Sequence, residues 1–101
     1  MKATTQIDAY VFSTLMADLV SHDRRPSAFL TYVAIWSAGD GKRVALSYAD
    51  LAERTGLSKR AAQDAVAHLM RRELLECVKA GPTETPRYRP LTPWQRWKRK
   101  A

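Results

Sequence analysis

Apolar positions along the chain repeat mainly at helical spacing, and at strand spacing only beyond Leu74. Residues 1–6 are small and polar and are expected to fray. From there Val11, Leu15 and Leu19 form one i, i+4 row, and Phe12, Met16 and Val20 form a second beside it. Together they predict a helix over residues 8–21 with an apolar stripe wider than a short surface helix needs. Either that helix packs across the domain, or a second copy of the chain covers part of it. His22-Asp23-Arg24-Arg25 is a polar break, and Pro26 is suited to be the first residue of the next helix. Phe29, Tyr32, Val33 and Trp36 give that helix its spacing, and its largely apolar character predicts a central place in the core. Ala38-Gly39-Asp40-Gly41-Lys42 ends it, and Arg43–Leu46 is a short extended piece.

Two helices joined by a tight turn follow. Ser47 is a good N-cap with Asp50 three residues on, and Tyr48, Leu51 and Ala52 supply i, i+3, i+4 spacing for a helix over Tyr48–Thr55. Gly56 is the residue best able to adopt the left-handed turn conformation. Ser58 caps a second helix in which Ala62, Ala65, Val66 and Leu69 form the packing stripe. Lys59, Arg60, Gln63, Ala67, His68 and Arg71 point elsewhere, leaving one face free to read something. Beyond it, Leu74–Ala80 reads as a strand, Gly81–Pro86 as a turn, and Arg87–Leu91 as the returning strand. With Tyr88 turned inward, Arg87 and Arg89 face out together. Pro86 and Pro90 predict an edge position for this strand.

Leu51-Ala52-x-x-x-Gly56-Leu57-Ser58, then Ala62, Val66 and Leu69, then Leu74-Leu75 resembles the winged helix-turn-helix family over roughly Arg25 to Leu91. The resemblance implies a mainly α fold with a small β-hairpin: a three-helix core plus a wing, with an extra N-terminal helix. Arg43–Leu46 would then add a third strand to the wing. Glu73 stands where such proteins commonly carry Gly before the first wing strand, so the exit of the second helix is expected to differ. The resemblance further implies a bacterial or phage-type regulator that binds double-stranded DNA without a ligand domain, and it implies no small-molecule effector. Ser58, Lys59, Arg60, Gln63, Asp64, Ala67, His68 and Arg71 would face the major groove, and Arg87 and Arg89 would hold backbone or minor groove. Residues 10–75 also resemble the helix-turn-helix domains of plasmid and phage replication initiators. A different class, the winged-helix protein-interaction adaptor, would use the wide stripe of the first helix and Trp94 and Trp97.

Charge sharpens this picture. The 101 residues carry a net +7. In residues 1–58, Lys2, Arg24, Arg25, Lys42, Arg43 and Arg54 balance Asp8, Asp18, Asp23, Asp40, Asp50 and Glu53, so the whole excess lies beyond Ser58. A polyanion would be steered to that half. Residues 92–101 form a basic segment in which Trp94 and Trp97 interleave with Arg96, Lys98, Arg99 and Lys100, a composition suited to phosphate contact and stacking, or to tryptophans that fold back over the domain while the charges stay solvated. The expected organisation is thus a flexible 1–6, a domain over 7–91 and a tail over 92–101.

Other chemistry finds little support. One cysteine, Cys77, allows no internal disulfide framework or cysteine-based zinc cluster. His22 and His68 have no carboxylate pattern resembling a triad or metal site, and Gly-rich phosphate loops are lacking, so neither catalysis nor a cofactor or metal is expected. The N-terminus lacks a signal-peptide pattern and no apolar run reaches the roughly 18 residues that span a bilayer, so a cytoplasmic, membrane-free protein is expected.

Overall fold

A computed structural model of the chain describes residues 4–99, with side chains to residue 96. After an N-terminal helical arm come α1 (Pro26–Gly39), β1 (Val44–Ala45), α2 (Tyr48–Thr55), α3 (Lys59–Arg71), β2 (Leu75–Val78), β3 (Arg87–Pro90) and α4 (Trp94–Arg99). The result is a small, mainly helical domain with a three-stranded antiparallel sheet. Helix α1 starts at Pro26, whose missing N–H is no loss in a first turn. It ends where Asp40 and Gly41 take left-handed backbone conformations. Ala28, Thr31, Tyr32 and Ile35 on α1 are fully enclosed by the arm, α2, α3 and the sheet, as its apolar run demanded.

The arm departs from the plain α-helix expected over residues 8–21. Asp8 accepts a hydrogen bond from the Tyr10 N–H (3.1 Å), and the chain then winds as a π-helix over Val11–Leu15 and again over Asp18–His22. The wider turn appears as bonds spanning five residues, from Met16 N–H to Val11 and from Asp23 N–H to Asp18 (2.9 Å). A π turn holds more residues than the roughly 3.6 of an α turn, so side chains four apart stay in line instead of drifting around the axis. Only one of the two apolar rows is therefore buried. Val11, Leu15 and Leu19 pack into the core, while Phe12, Met16 and Val20 remain 48%, 40% and 39% exposed. Phe12 meets Phe29 edge to face at a centroid distance of 5.9 Å.

The sheet order β1-β3-β2 makes β3 central, which corrects the edge position inferred from its prolines. Pro86 precedes the strand and its carbonyl accepts from the Leu46 N–H (3.1 Å). Pro90 pairs with Leu75, one residue before the Leu91 N–H bonds the Leu74 carbonyl (2.9 Å). By antiparallel alternation, the Leu75–Pro90 pair exchanges no hydrogen bonds. Because β1 pairs only with Tyr88 and Arg87, no neighbour calls on the missing Pro90 N–H.

Both ends of the described chain are tied down. Residues 5 and 6, expected to fray, engage α1: the Thr5 hydroxyl bonds the Asp40 carboxylate, and the Gln6 carbonyl accepts from Trp36 Nε1 at 2.8 Å. Trp94 is buried, stacks on Tyr10 with centroids 4.6 Å apart, and donates its Nε1–H to Asp8 (2.9 Å). The segment after Leu91 is thus a short helix whose Trp94 folds back on the arm, and its start is framed rather than loose. Among the described residues no helix is long and apolar enough to cross a membrane.

Candidate nucleic-acid interface

Local hydrogen bonds build the α2–turn–α3 unit. The Asp50 N–H donates to Ser47 Oγ (3.0 Å) and the Ser47 N–H donates to Asp50 Oδ2 (2.9 Å), closing a reciprocal capping box. These bonds hold the Asp50 carboxyl below the usual aspartate range. Gly56 ends α2 at φ 80° and donates to the Ala52 carbonyl at 2.8 Å. No atom lies within 4 Å of the place a Cβ would occupy there, so the demand for glycine is purely one of backbone conformation. Thr55 spans the turn, donating its hydroxyl to the Leu51 carbonyl (2.6 Å) and accepting from the Leu57 N–H (3.1 Å). Ser58 Oγ then accepts from the Ala61 N–H (3.0 Å) and starts α3.

Helix α3 buries Ala62, Ala65, Val66 and Leu69 and leaves Ser58, Lys59, Arg60, Gln63, Asp64, Ala67 and Arg71 exposed, as the spacing predicted. Arg60 Nε lies 3.6 Å from Asp64 Oδ1 across one helical turn, a surface pair that contributes only a few tenths of a kcal/mol. Among the described residues, no carboxylate forms an ion pair with Lys59, Arg71 or Arg87.

His68 does not belong to this face. Its side chain is 15% exposed and its Nε2 lies 2.8 Å from Asp23 Oδ2, at the corner between the arm and α1. Asp23 also accepts from Arg72 (2.5 Å) and from His22 Nδ1 (2.9 Å), and Arg72 reaches on to Asp18 (2.7 Å). Burial pushes the Asp23 carboxyl up, yet hydrogen bonds from His22 and His68 and the Arg72 charge outweigh it and hold the group below its ordinary value. The spacing of His68 on α3 puts it on the flank, which helical periodicity alone could not distinguish from the open face. Asp18, His22 and Asp23 are the one group of potential metal ligands among the described residues, with ligand atoms within 4.8 Å of one another. The Arg72 guanidinium bonds both carboxylates, so this cluster already holds its cation.

Glu73 corrects the expected change at the exit of α3. It takes φ 57°, the conformation a glycine would adopt. The Leu74 N–H bonds the Leu69 carbonyl (2.9 Å) and the Glu73 N–H bonds the Met70 carbonyl (3.1 Å), a complete Schellman closure with Leu69 and Leu74 buried beneath it. Tertiary packing of Leu74 enforces a backbone that Glu alone disfavours.

On the hairpin, Tyr88 faces the core and Arg87 and Arg89 face out. The two arginines differ. Arg89 donates twice to Glu76 (3.3 and 3.1 Å), and Arg43 bonds the same carboxylate. Those two guanidiniums hold Glu76 below the usual glutamate range, Arg89 being the larger cause. Arg87 keeps its charge for solvent or a partner. Lys79, exposed just after the Val78–Arg87 pair, adds a cation at the same end of the hairpin. Its signal in the sequence was its place beside the Gly81-Pro82 turn. Arg54 is exposed at the end of α2, next to the turn into α3. Arg96 is exposed on α4. The Lys98 and Arg99 side chains and all of Lys100 lie outside the described residues. Arg96 also borders an open groove of about 830 Å³ lined by Tyr10, Met70, Arg72, Cys77 and Trp94, at the C-terminal end of α3.

Comparison with protein-family profiles, with curated proteins and with solved structures gives no match for this chain.

Proposed function

We propose that this chain is a winged helix-turn-helix protein that binds double-stranded DNA with sequence specificity. One observation carries the reading: a doubly capped α2–turn–α3 unit leaves a continuous open face of Lys59, Arg60, Gln63, Ala67 and Arg71 on the half of the chain that holds the whole net charge. Helix α3 offers groups suited to base edges near its start, with Arg60 fitting guanine and Gln63 fitting adenine bidentately. The hairpin follows with Arg87 and Lys79 at its far end, where phosphate contact would position the helix. A third strand, β1, and the central α1 agree with the winged-helix architecture. Regulation of transcription and binding at a replication origin are both served by this chemistry.

Selection of bound duplexes from a random pool, followed by titration at several salt concentrations, tests the reading. A selected motif and a log affinity that falls steeply with log salt are expected. A protein-interaction adaptor would give no motif and little salt dependence, and that outcome would remove the proposal.

A further inference from the structure

We propose that the exposed face of the arm binds a second copy of this chain, antiparallel and centred on Met16. The π winding sorts the arm into rows of every fourth residue. Next to the buried row stand Phe12, Met16 and Val20, all exposed. The row beyond is Ser13, Ala17 and Ser21, also exposed and uniformly small. A ridge of large apolar side chains beside a groove of small ones is complementary to itself. In a twofold pairing each ridge seats in the other copy's groove, and the interface closes. Neither row contains a charged residue, so the contact buries no ion.

Charge selects the orientation. The arm is preceded by Asp8 and followed by exposed Arg24 and Arg25. Antiparallel pairing about Met16 brings Phe12 opposite Val20 and sets Asp8 near Arg24 of the second copy, at both ends of the contact. Parallel pairing would stack Arg24-Arg25 on themselves. Antiparallel helix dipoles act in the same direction. Asp8 is fixed by its bond to Trp94, so its charge is already oriented.

The ridge is short, at the low end of what specific association uses, so a dissociation constant of roughly 10–100 μM is expected without DNA. The pairing does not depend on DNA binding. Its consequence does rest on that reading: two α3 helices related by a twofold axis would read half-sites about one duplex turn apart or a multiple of it.

Sedimentation equilibrium of the full chain without DNA tests the pairing. A reversible monomer–dimer equilibrium is expected, weakened at least about tenfold by Met16→Glu and unchanged by Met70→Glu on α3. In a Cys77→Ser background, a short bismaleimide should join Met16→Cys chains to each other. It should join Phe12→Cys to Val20→Cys chains in mixture, while leaving Phe12→Cys alone as monomer. A monomer at every concentration, a dimer indifferent to Met16→Glu, or Phe12→Cys cross-linking to itself as readily as to Val20→Cys would each overturn the proposal. Should Met16→Glu perturb the far-UV spectrum, the cross-linking pattern decides. A dimer with this pattern that binds no DNA leaves the pairing standing and removes only the DNA reading.

Discussion

Two positive-φ positions bracket α3, and they hold opposite residues. Gly56 suits its φ of 80°, whereas Glu73 is strained at 57°. Replacing Gly56 with Val should cost about 1–3 kcal/mol, all of it backbone strain because the space around it is open. Replacing Glu73 with Gly should stabilise by about 1 kcal/mol, since the Schellman bonds remain and the Cβ clash is relieved. Thermal unfolding of the two variants should move in opposite directions. Thr31 offers a second gain. Its hydroxyl is buried without a hydrogen-bond partner among the described residues, so Thr31→Val should raise stability by on the order of 1 kcal/mol in a denaturant titration. A loss would reveal a partner for the hydroxyl. Asp23 works the other way. Its side chain is 6% exposed and links His22, His68 and Arg72. Asp23→Asn should cost about 1–3 kcal/mol by weakening charged hydrogen bonds. Its carboxyl is depressed in the folded state, so its contribution is complete above the ordinary aspartate pKa of about 3.9 and disappears as pH falls through the lower folded value. The stability gap between Asp23→Asn and the parent protein should therefore narrow below about pH 4. A constant gap would contradict the charge-based role.

Among the elements, α2, α3 and the hairpin were legible because their determinants are local. Ser47, Gly56 and Ser58 act on backbone groups within four residues, and the strand alternation of Arg87, Tyr88 and Arg89 needs only one buried neighbour. The arm was only half legible. Its two apolar rows promise a helix, but α winding spreads both toward the core and π winding buries one, and the choice is made by packing on α1. The same applies to the site. The open face of α3 follows from its period, yet His68 is withdrawn from it by Asp23, forty-five residues away in sequence. Arg89 is likewise occupied by Glu76 across the strands. A graded expectation follows for DNA binding. Arg60→Ala and Gln63→Ala should each cost about 1–3 kcal/mol on the selected site and little on random duplex, because base contacts discriminate. Arg87→Ala should weaken both duplexes alike, and Arg89→Ala should do so less, its guanidinium being already engaged. His68→Ala should change stability more than DNA affinity. Competition binding with specific and random duplexes separates these cases, and an equal loss on both duplexes for Gln63→Ala would deny α3 the reading role.

At the scale of the whole molecule, the positions of the charges decide what the C-terminal segment can do. Composition alone treats Arg96, Lys98, Arg99 and Lys100 as trailing cations able to meet phosphate anywhere. The anchoring of Trp94 on Tyr10 and Asp8 restricts Arg96, because it fixes the start of α4 against the arm. Arg96 consequently borders the groove beside Met70 and Arg72, at the C-terminal end of α3, whereas Lys59, Arg60 and Gln63 lie at the other end. Thirteen residues of helix separate the two ends by roughly 20 Å. With the start of α3 in a major groove, Arg96 would reach only phosphates flanking the base pairs that are read. Neutralising all four should then leave the selected motif unchanged. On a duplex with long flanks, three or four lost phosphate contacts should flatten the slope of log affinity against log salt by about three units. On a duplex trimmed to the motif the same variant should bind almost as the parent does, because the flanking phosphates are gone from both measurements. Equal losses on trimmed and long duplexes would mean that the C-terminal helix contacts the read site itself, and no loss on either would mean that it faces away from DNA.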